Sequence, residues 1–330
     1  MAMTLAKLAQ LEIPDIKRYI ILNIIRHSKL MSWLPFENVS SLKSVAIRWQ
    51  TLPDVAWRGI GGSYTESSGE FEQVWESVYG FGGEILWDRI FEKVKNTVGD
   101  WKRQVTDQKL MAMSFKFNDY FINGDHAVDP LGIEGLKKRI AGMPARQTVY
   151  FAASNAAALD VTASTANART FFDSLETMAV RCGDGPKAFL VNEAMYLGLG
   201  RAARYLQISS GGWLDTTKDT MGRDIVTFKG VPLIDVGFKK DQSTEIITDT
   251  ETAGDSGADA TSIYAVAFGD QQGVTGIQLS ELEAYDPNNG GEMSTQPAKQ
   301  LRIEWWMGLA SFGSYGMVRG ANCEGASQWT

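Results

Sequence analysis

From Asp88 to Phe121 the spacing of apolar residues calls for one long helix. Ile90, Val94, Val98, Trp101 and Val105 recur at a helical period, and Ala112 and Phe115 continue the stripe. Glu92, Lys93, Lys95, Lys102, Arg103, Asp107 and Lys109 populate the other faces. Asp88 is a suitable N-cap, and Asn123-Gly124-Asp125 has the composition of a left-handed C-terminal stop. At ~1.5 Å per residue the helix spans about 50 Å. A helix of that length is a strut, and the rest of the chain has to be arranged along it.

The segments before the strut carry apolar surface that they cannot bury alone. Residues 1–50 read as an arm. Ile16, Ile20 and Ile24 form a short helical stripe, and Lys7, Lys17, Arg18, Arg26 and Lys29 outnumber Glu12 and Asp15. The arm is expected to pack on another part of the fold or on a neighbouring chain. Residues 51–87 read as a long β-hairpin, with Val55–Arg58 as one strand, glycines and serines at the tip, and Phe71–Tyr79 as the return strand. Phe71, Trp75 and Tyr79 share one face of that strand, although their spacing also fits a helix. A lone two-stranded hairpin is marginal in water. The hairpin therefore needs a partner surface, with Trp57, Phe71 and Trp75 supplying buried area. Arg58, Glu72 and Glu76 are the candidate charged contacts to a neighbour.

The remainder mixes helices and strands without regular alternation, so the class is α+β. Helices are expected at 170–180 and 193–206. Strands are expected at 188–191, 225–228, 231–236 and 263–268. Leu301, Ile303, Trp305, Met307 and Leu309 alternate strictly with Arg302, Glu304, Trp306 and Gly308, the signature of a half-buried strand. Residues 244–260 are polar and read as a loop.

The inventory of reactive residues excludes most chemistry. The 330 residues include 2 histidines and 2 cysteines, Cys182 and Cys323. These numbers rule out a disulfide scaffold and a cysteine-rich zinc module. A formal net charge of -7 argues against a dedicated nucleic-acid binder. Gly198-Leu199-Gly200-Arg201-Ala202-Ala203 matches a loose dinucleotide fingerprint but sits inside an expected helix instead of after a strand. Gly254-Asp255-Ser256-Gly257 matches a serine-protease nucleophile loop, yet neither His27 nor His126 stands in a setting suited to a general base. Asp249, Glu251 and Asp255 sketch a calcium loop whose last ligand position is Ala260. No catalytic constellation, cofactor site or metal site emerges. No run is long and apolar enough for a transmembrane helix, and no secretory signal is evident.

Arm, hairpin, strut and mixed body, in this order, resemble the major capsid proteins of tailed bacteriophages with the Hong Kong 97-type fold. The resemblance is carried by Leu52–Arg58 with Gly61-Gly62, by Phe81–Asp88, and by Phe121–Asp125 with Pro130 and Gly135-Leu136. Thr261–Gly269 and Leu301–Ala310 complete it. It implies an N-terminal arm over 1–50, an extended loop over 51–87, and a peripheral domain over 88–144 and 261–330 built on a spine helix at 88–122. An axial domain would occupy 145–260. Ile90, Val94, Trp101 and Val105 would pack the spine helix on the peripheral sheet.

The resemblance further implies a structural protein, not an enzyme, that assembles with itself into hexamers and pentamers of an icosahedral shell around double-stranded DNA. The shell would form in the host bacterial cytoplasm and be found in the virion. A portal, a decoration protein and packaged DNA are the implied partners. The short arm points to a separate scaffolding protein, with removal of a precursor segment before Met1 as the other possibility. An encapsulin-like nanocompartment shell is the alternative. Some members of the fold join a loop lysine covalently to a neighbour's asparagine; here no lysine lies between Thr51 and Glu92.

Overall fold

The computed structural model describes residues 3–5, 15–88, 90, 101–152, 157–183, 185–206, 214–218, 222–251, 260–269, 273–289, 291–311, 313 and 315–325. Helix α1 (Asp15–His27) buries Ile20, Ile21, Ile24 and Ile25, two adjacent positions repeated one turn later, as a stripe facing a core requires. Its main partner is the spine helix, here α3 (Trp101–Asn123). Tyr19 Oη and Asn23 Nδ2 both donate to Asp107 Oδ1, at 2.5 and 3.0 Å. The helical part of the arm is thus covered by its own chain. The short helix α2 (Lys29–Trp33) follows, capped by Ser28, whose Oγ accepts from Met31 N.

The buried face of α3 is Leu110, Met113, Ser114, Phe117, Asn118, Phe121 and Ile122. This corrects the expected register, because Ala112 and Phe115 lie beside that face and are only half-buried. The reason is that the core face carries two polar residues. Ser114 Oγ donates to Leu110 O (2.9 Å), Asn118 Oδ1 accepts from Ser28 Oγ (2.6 Å), and Asn118 Nδ2 donates to Val236 O (3.3 Å). Hydrogen-bonded in this way they are tolerated in the core, but they interrupt the apolar pattern. Ile90 is 61% exposed and does not pack the helix. Val94 and the side chain of Trp101 lie outside the described residues, while Val105 is partly buried against the core.

The helix stops at Gly124 for a different reason from the one expected. Neither Asn123 nor Gly124 has a positive φ. A Cβ on Gly124 would lie 2.2 Å from Ile133 O, and one on Gly135 would lie 2.6 Å from Gly124 N. The two glycines let the returning chain cross the helix end at van der Waals distance.

Among the described residues the chain then forms two sheets and a separate ribbon. The ribbon pairs β3 (Lys43–Thr51) with β4 (Glu70–Ser77). In the first sheet, β1 (Met3–Thr4), β2 (Pro35–Asn38), β13 (Val274–Gln278), β15 (Ala298–Ser311) and β14 (Glu283–Tyr285) lie in that order. Strand β5 (Tyr79–Asp88) runs antiparallel along the other edge of β15, from Met307↔Tyr79 to Ala298↔Asp88. The expected alternation in β15 holds: Ile303, Trp305, Met307 and Leu309 are buried. Trp305 packs on Phe36 and donates to Gln278 Oε1 (3.0 Å). The arm therefore supplies β1 and β2 to this sheet.

The second sheet has the order β6–β16–β12–β8–β11–β10–β9, with β7 also on β16. Its strands are β6 (Thr148–Tyr150), β7 (Leu159–Asp160), β8 (Ala188–Val191), β9 (Leu214–Lys218), β10 (Asp224–Phe228), β11 (Val231–Asp235), β12 (Thr261–Val266) and β16 (Met317–Glu324). Every residue of β8 and β12 is buried, because both faces of the sheet are covered. Leu190, Ile234, Tyr264 and Val266 join the core around α3. Phe189, Val191, Leu233 and Ile263 join a second core under α5 (Thr165–Arg181) and α6 (Glu193–Tyr205). The helix α4 (Leu136–Ala141) connects α3 to this half. Lys229 and Gly230, both at positive φ, turn β10 into β11, as a tight hairpin requires.

Residues 261–330 divide between the sheets: 274–311 supply the first, while β12 and β16 sit in the middle of the second and still send Tyr264, Val266 and Met317 to the core around α3. Strands buried on both faces lack the alternation that would have tied them to one layer.

Candidate assembly interface

Two residues alternate along the ribbon, so each face collects one set. One face holds the pairs Val45↔Trp75 and Ile47↔Gln73, with Phe71 next along the same strand. Val45, Ile47, Phe71 and Trp75 are between 44% and 69% exposed there. The other face holds Val74 and Glu72, and Glu72 is exposed. The paired strands start earlier than expected: 43–51 is a strand, and Val55–Arg58 belongs to the connecting loop. Pro53 and the glycine-rich sequence after it are poor ladder formers, whereas Lys43–Thr51 alternates apolar and polar residues and pairs readily. The ribbon therefore spans 43–77, and β5 has already joined the first sheet.

The loop over 52–69 is exposed but internally bonded. Arg58 Nη1 donates to Gly62 O (2.7 Å) and its guanidinium lies over the Tyr64 ring. Gly62 N donates to Gly59 O (3.1 Å), with Gly61 at φ 84°, a turn that favours glycine. Ser67 Oγ donates to Asp54 O (2.8 Å). Arg58 is thus engaged within the tip, while Trp57 and Ile60 stand fully in solvent.

At the base, one expected contact residue turns inward. Glu76 is buried, and its two carboxylate oxygens receive Arg139 Nη1 and Nη2 at 2.5 and 2.8 Å. Arg139 also donates to Leu309 O (2.8 Å) and Glu134 O (2.9 Å), and Ser311 N donates to Glu76 Oε1 (3.3 Å). Both side chains are under 10% exposed. Strand alternation puts Glu76 on the side facing β15 and α4, so it is unavailable to a neighbouring subunit. Its partner Arg139 carried no motif; only its place in an otherwise amphipathic Leu136–Ala141 turn set it apart. The pair clamps the ribbon to the first sheet.

Beside the base lies a pocket of about 240 Å³ between β5, α3 and the 129–133 loop. Tyr120 Oη donates to Asp129 Oδ2 (2.6 Å), which pushes the phenol up to about 12, and Lys116 stands over the same ring. In the second half, Asn192 caps α6 and its Nδ2 donates to both Glu245 and Asp249. Burial, then the neighbouring Asp249, pushes Glu245 up to about 7. Among the described residues no group of three or more His, Cys, Asp or Glu side chains is arranged for a metal ion. Cys182 and Cys323 are buried and unbridged. Gly198–Ala203 lies within α6, away from any strand end; the protease-like Gly254–Gly257 and Asp255 of the calcium-like motif lie outside the described residues, while Glu251 of that motif is buried and paired with Lys137 and Arg319. No described helix is long and apolar enough to cross a membrane.

No protein-family model matches the chain, and no curated protein matches it in sequence. Solved structures do. The holo-SrpI encapsulin complex from Synechococcus elongatus PCC 7942 is similar at a TM-score of 0.61 and 13% identity, over 90% of this chain and 87% of that one. The capsid of a native GTA particle follows at 0.58 and 13%, over 91% and 90%. Mycobacterium phage Bobi follows at 0.57 and 11%, over 91% of each chain. The fold is the Hong Kong 97 type. The ribbon over 43–77 overlaps the segment expected as the extended loop, and α3 overlaps the segment expected as the spine helix.

Proposed function

We propose that this chain is the major capsid protein of a tailed bacteriophage. It assembles with itself into hexamers and pentamers of an icosahedral shell that encloses double-stranded DNA. The observation that carries this reading is the ribbon: a clamped two-stranded arm with an uncovered apolar face, on a fold otherwise found in shell subunits. Laying that face across an adjacent subunit buries Val45, Ile47, Phe71 and Trp75, while exposed Glu72, on the opposite face, is left for a cation of another neighbour. A scaffolding protein, a portal and a decoration protein are the partners such a shell uses, and the virion is where it ends. Peripheral and axial domains divide the work, the first joining capsomers and the second filling their centres.

A second reading, a protein nanocompartment, is favoured by the similarity to the encapsulin at a TM-score of 0.61. Purified particles decide between the two. Nuclease-protected DNA inside particles made during infection supports the capsid reading. Shells from the chain alone that retain a protein cargo and no DNA overturn it in favour of the compartment.

A further inference from the structure

The ribbon tip and the pocket at the ribbon base are complementary. We propose that Trp57 of one copy docks into the pocket beside Tyr120 of a second copy; the inference rests on the shell reading above. The pocket is lined by Tyr79, Phe81, Phe117, Tyr120, Ile133 and Met307, largely aromatic and apolar, with about 240 Å³ of space. A cavity of roughly 150 Å³ accepts benzene, so an indole fits.

The chain cannot fill this pocket with its own tip. The pocket begins at Tyr79, two residues beyond the end of β4. The nine residues of β3 carry the tip away from that base, about 30 Å at the rise of an extended strand. Knob and socket on one chain, separated in this way, make a head-to-tail contact, which generates a ring when the rotation between copies closes.

Chemistry selects tryptophan among the tip residues. The pocket is apolar but contains the Asp129 carboxylate, which already accepts from Tyr120 Oη and Leu131 N. A carboxylate has further lone pairs, and an indole N–H supplies the donor that Ile60 lacks. Lys116 at the rim places a cation beside the docked ring. The tip's Asp54 and Glu66 flank the knob with the opposite charge.

The test places Ile60→Cys and Leu131→Cys in one chain, leaving Trp57 in place. Both positions are exposed, and the native thiols are buried. Particles are treated with a short bis-maleimide and run on a denaturing gel. The expected result is dimers and higher multiples that need both cysteines. They should be absent from an Ile60→Cys/Val180→Cys control, whose second site is exposed on α5, and fall about tenfold or more when Trp57→Ala is added. Intact particles that yield only monomer overturn the docking and leave the shell reading standing. Unsubstituted protein that never forms particles overturns the shell reading, and the docking with it.

Discussion

The Glu76–Arg139 pair joins positions 63 residues apart at a buried site. Removing one partner leaves an uncompensated buried charge, so Arg139→Ala should cost about 3–5 kcal/mol. Glu76→Leu combined with Arg139→Met should recover much of that loss, since two apolar side chains need no partner. Urea unfolding of the isolated subunit measures both; equal stability of all three proteins would mean the clamp contributes nothing. Glu245 gives a pH signature of opposite sense to most carboxylates. Its pKa rises from 4.5 to about 7 on folding, through burial and then through Asp249, Asp235 and Glu193, against the favourable Asn192 amide. The unfolded chain releases this proton first, so stability falls as pH rises from about 4.5 to about 7 and the fall ends above that window. Glu245→Gln has no proton to lose. The melting temperature of the variant relative to the original should therefore rise across the window; a constant difference would contradict the assignment.

At the scale of elements, the ribbon separates folding from assembly. Trp75 is 59% exposed in the subunit, so Trp75→Ala should leave circular dichroism and melting unchanged while sedimenting particles are largely lost. Glu72→Lys should slow assembly chiefly at low salt, where exposed charges are least screened, and a salt-independent rate would exclude a charged contact there. The strict alternation from Leu301 to Leu309 made β15 legible from the sequence alone. The spine helix was legible as an element but not in its facing, because Ser114 and Asn118 occupy core positions that apolar counting assigns to solvent. Lys43–Thr51 alternates equally well, yet its strand partner lies beyond an 18-residue loop (52–69) with no tight-turn signal to join the two. Arg139 was invisible for a general reason: a long-range ion pair leaves no local pattern.

For the whole molecule, the two main cores meet on opposite faces of the second sheet, and among the described residues the ribbon is the two-stranded sheet that stands apart from that framework. The extended segment has no lysine between Thr51 and Glu92, so the shell is expected to be held by buried area and pairing without covalent links. Boiled, reduced particles should run as a single band near the subunit mass, and a ladder would refute this. The central claim is that the exposed ribbon face exists to be covered by another copy. An electron cryo-microscopy reconstruction of particles assembled from this chain tests it most directly. The account predicts a closed shell in which Val45, Ile47, Phe71 and Trp75 of each subunit lie buried on its neighbour. Particles whose ribbons project free into solvent, or a chain that stays monomeric at every concentration, would contradict it.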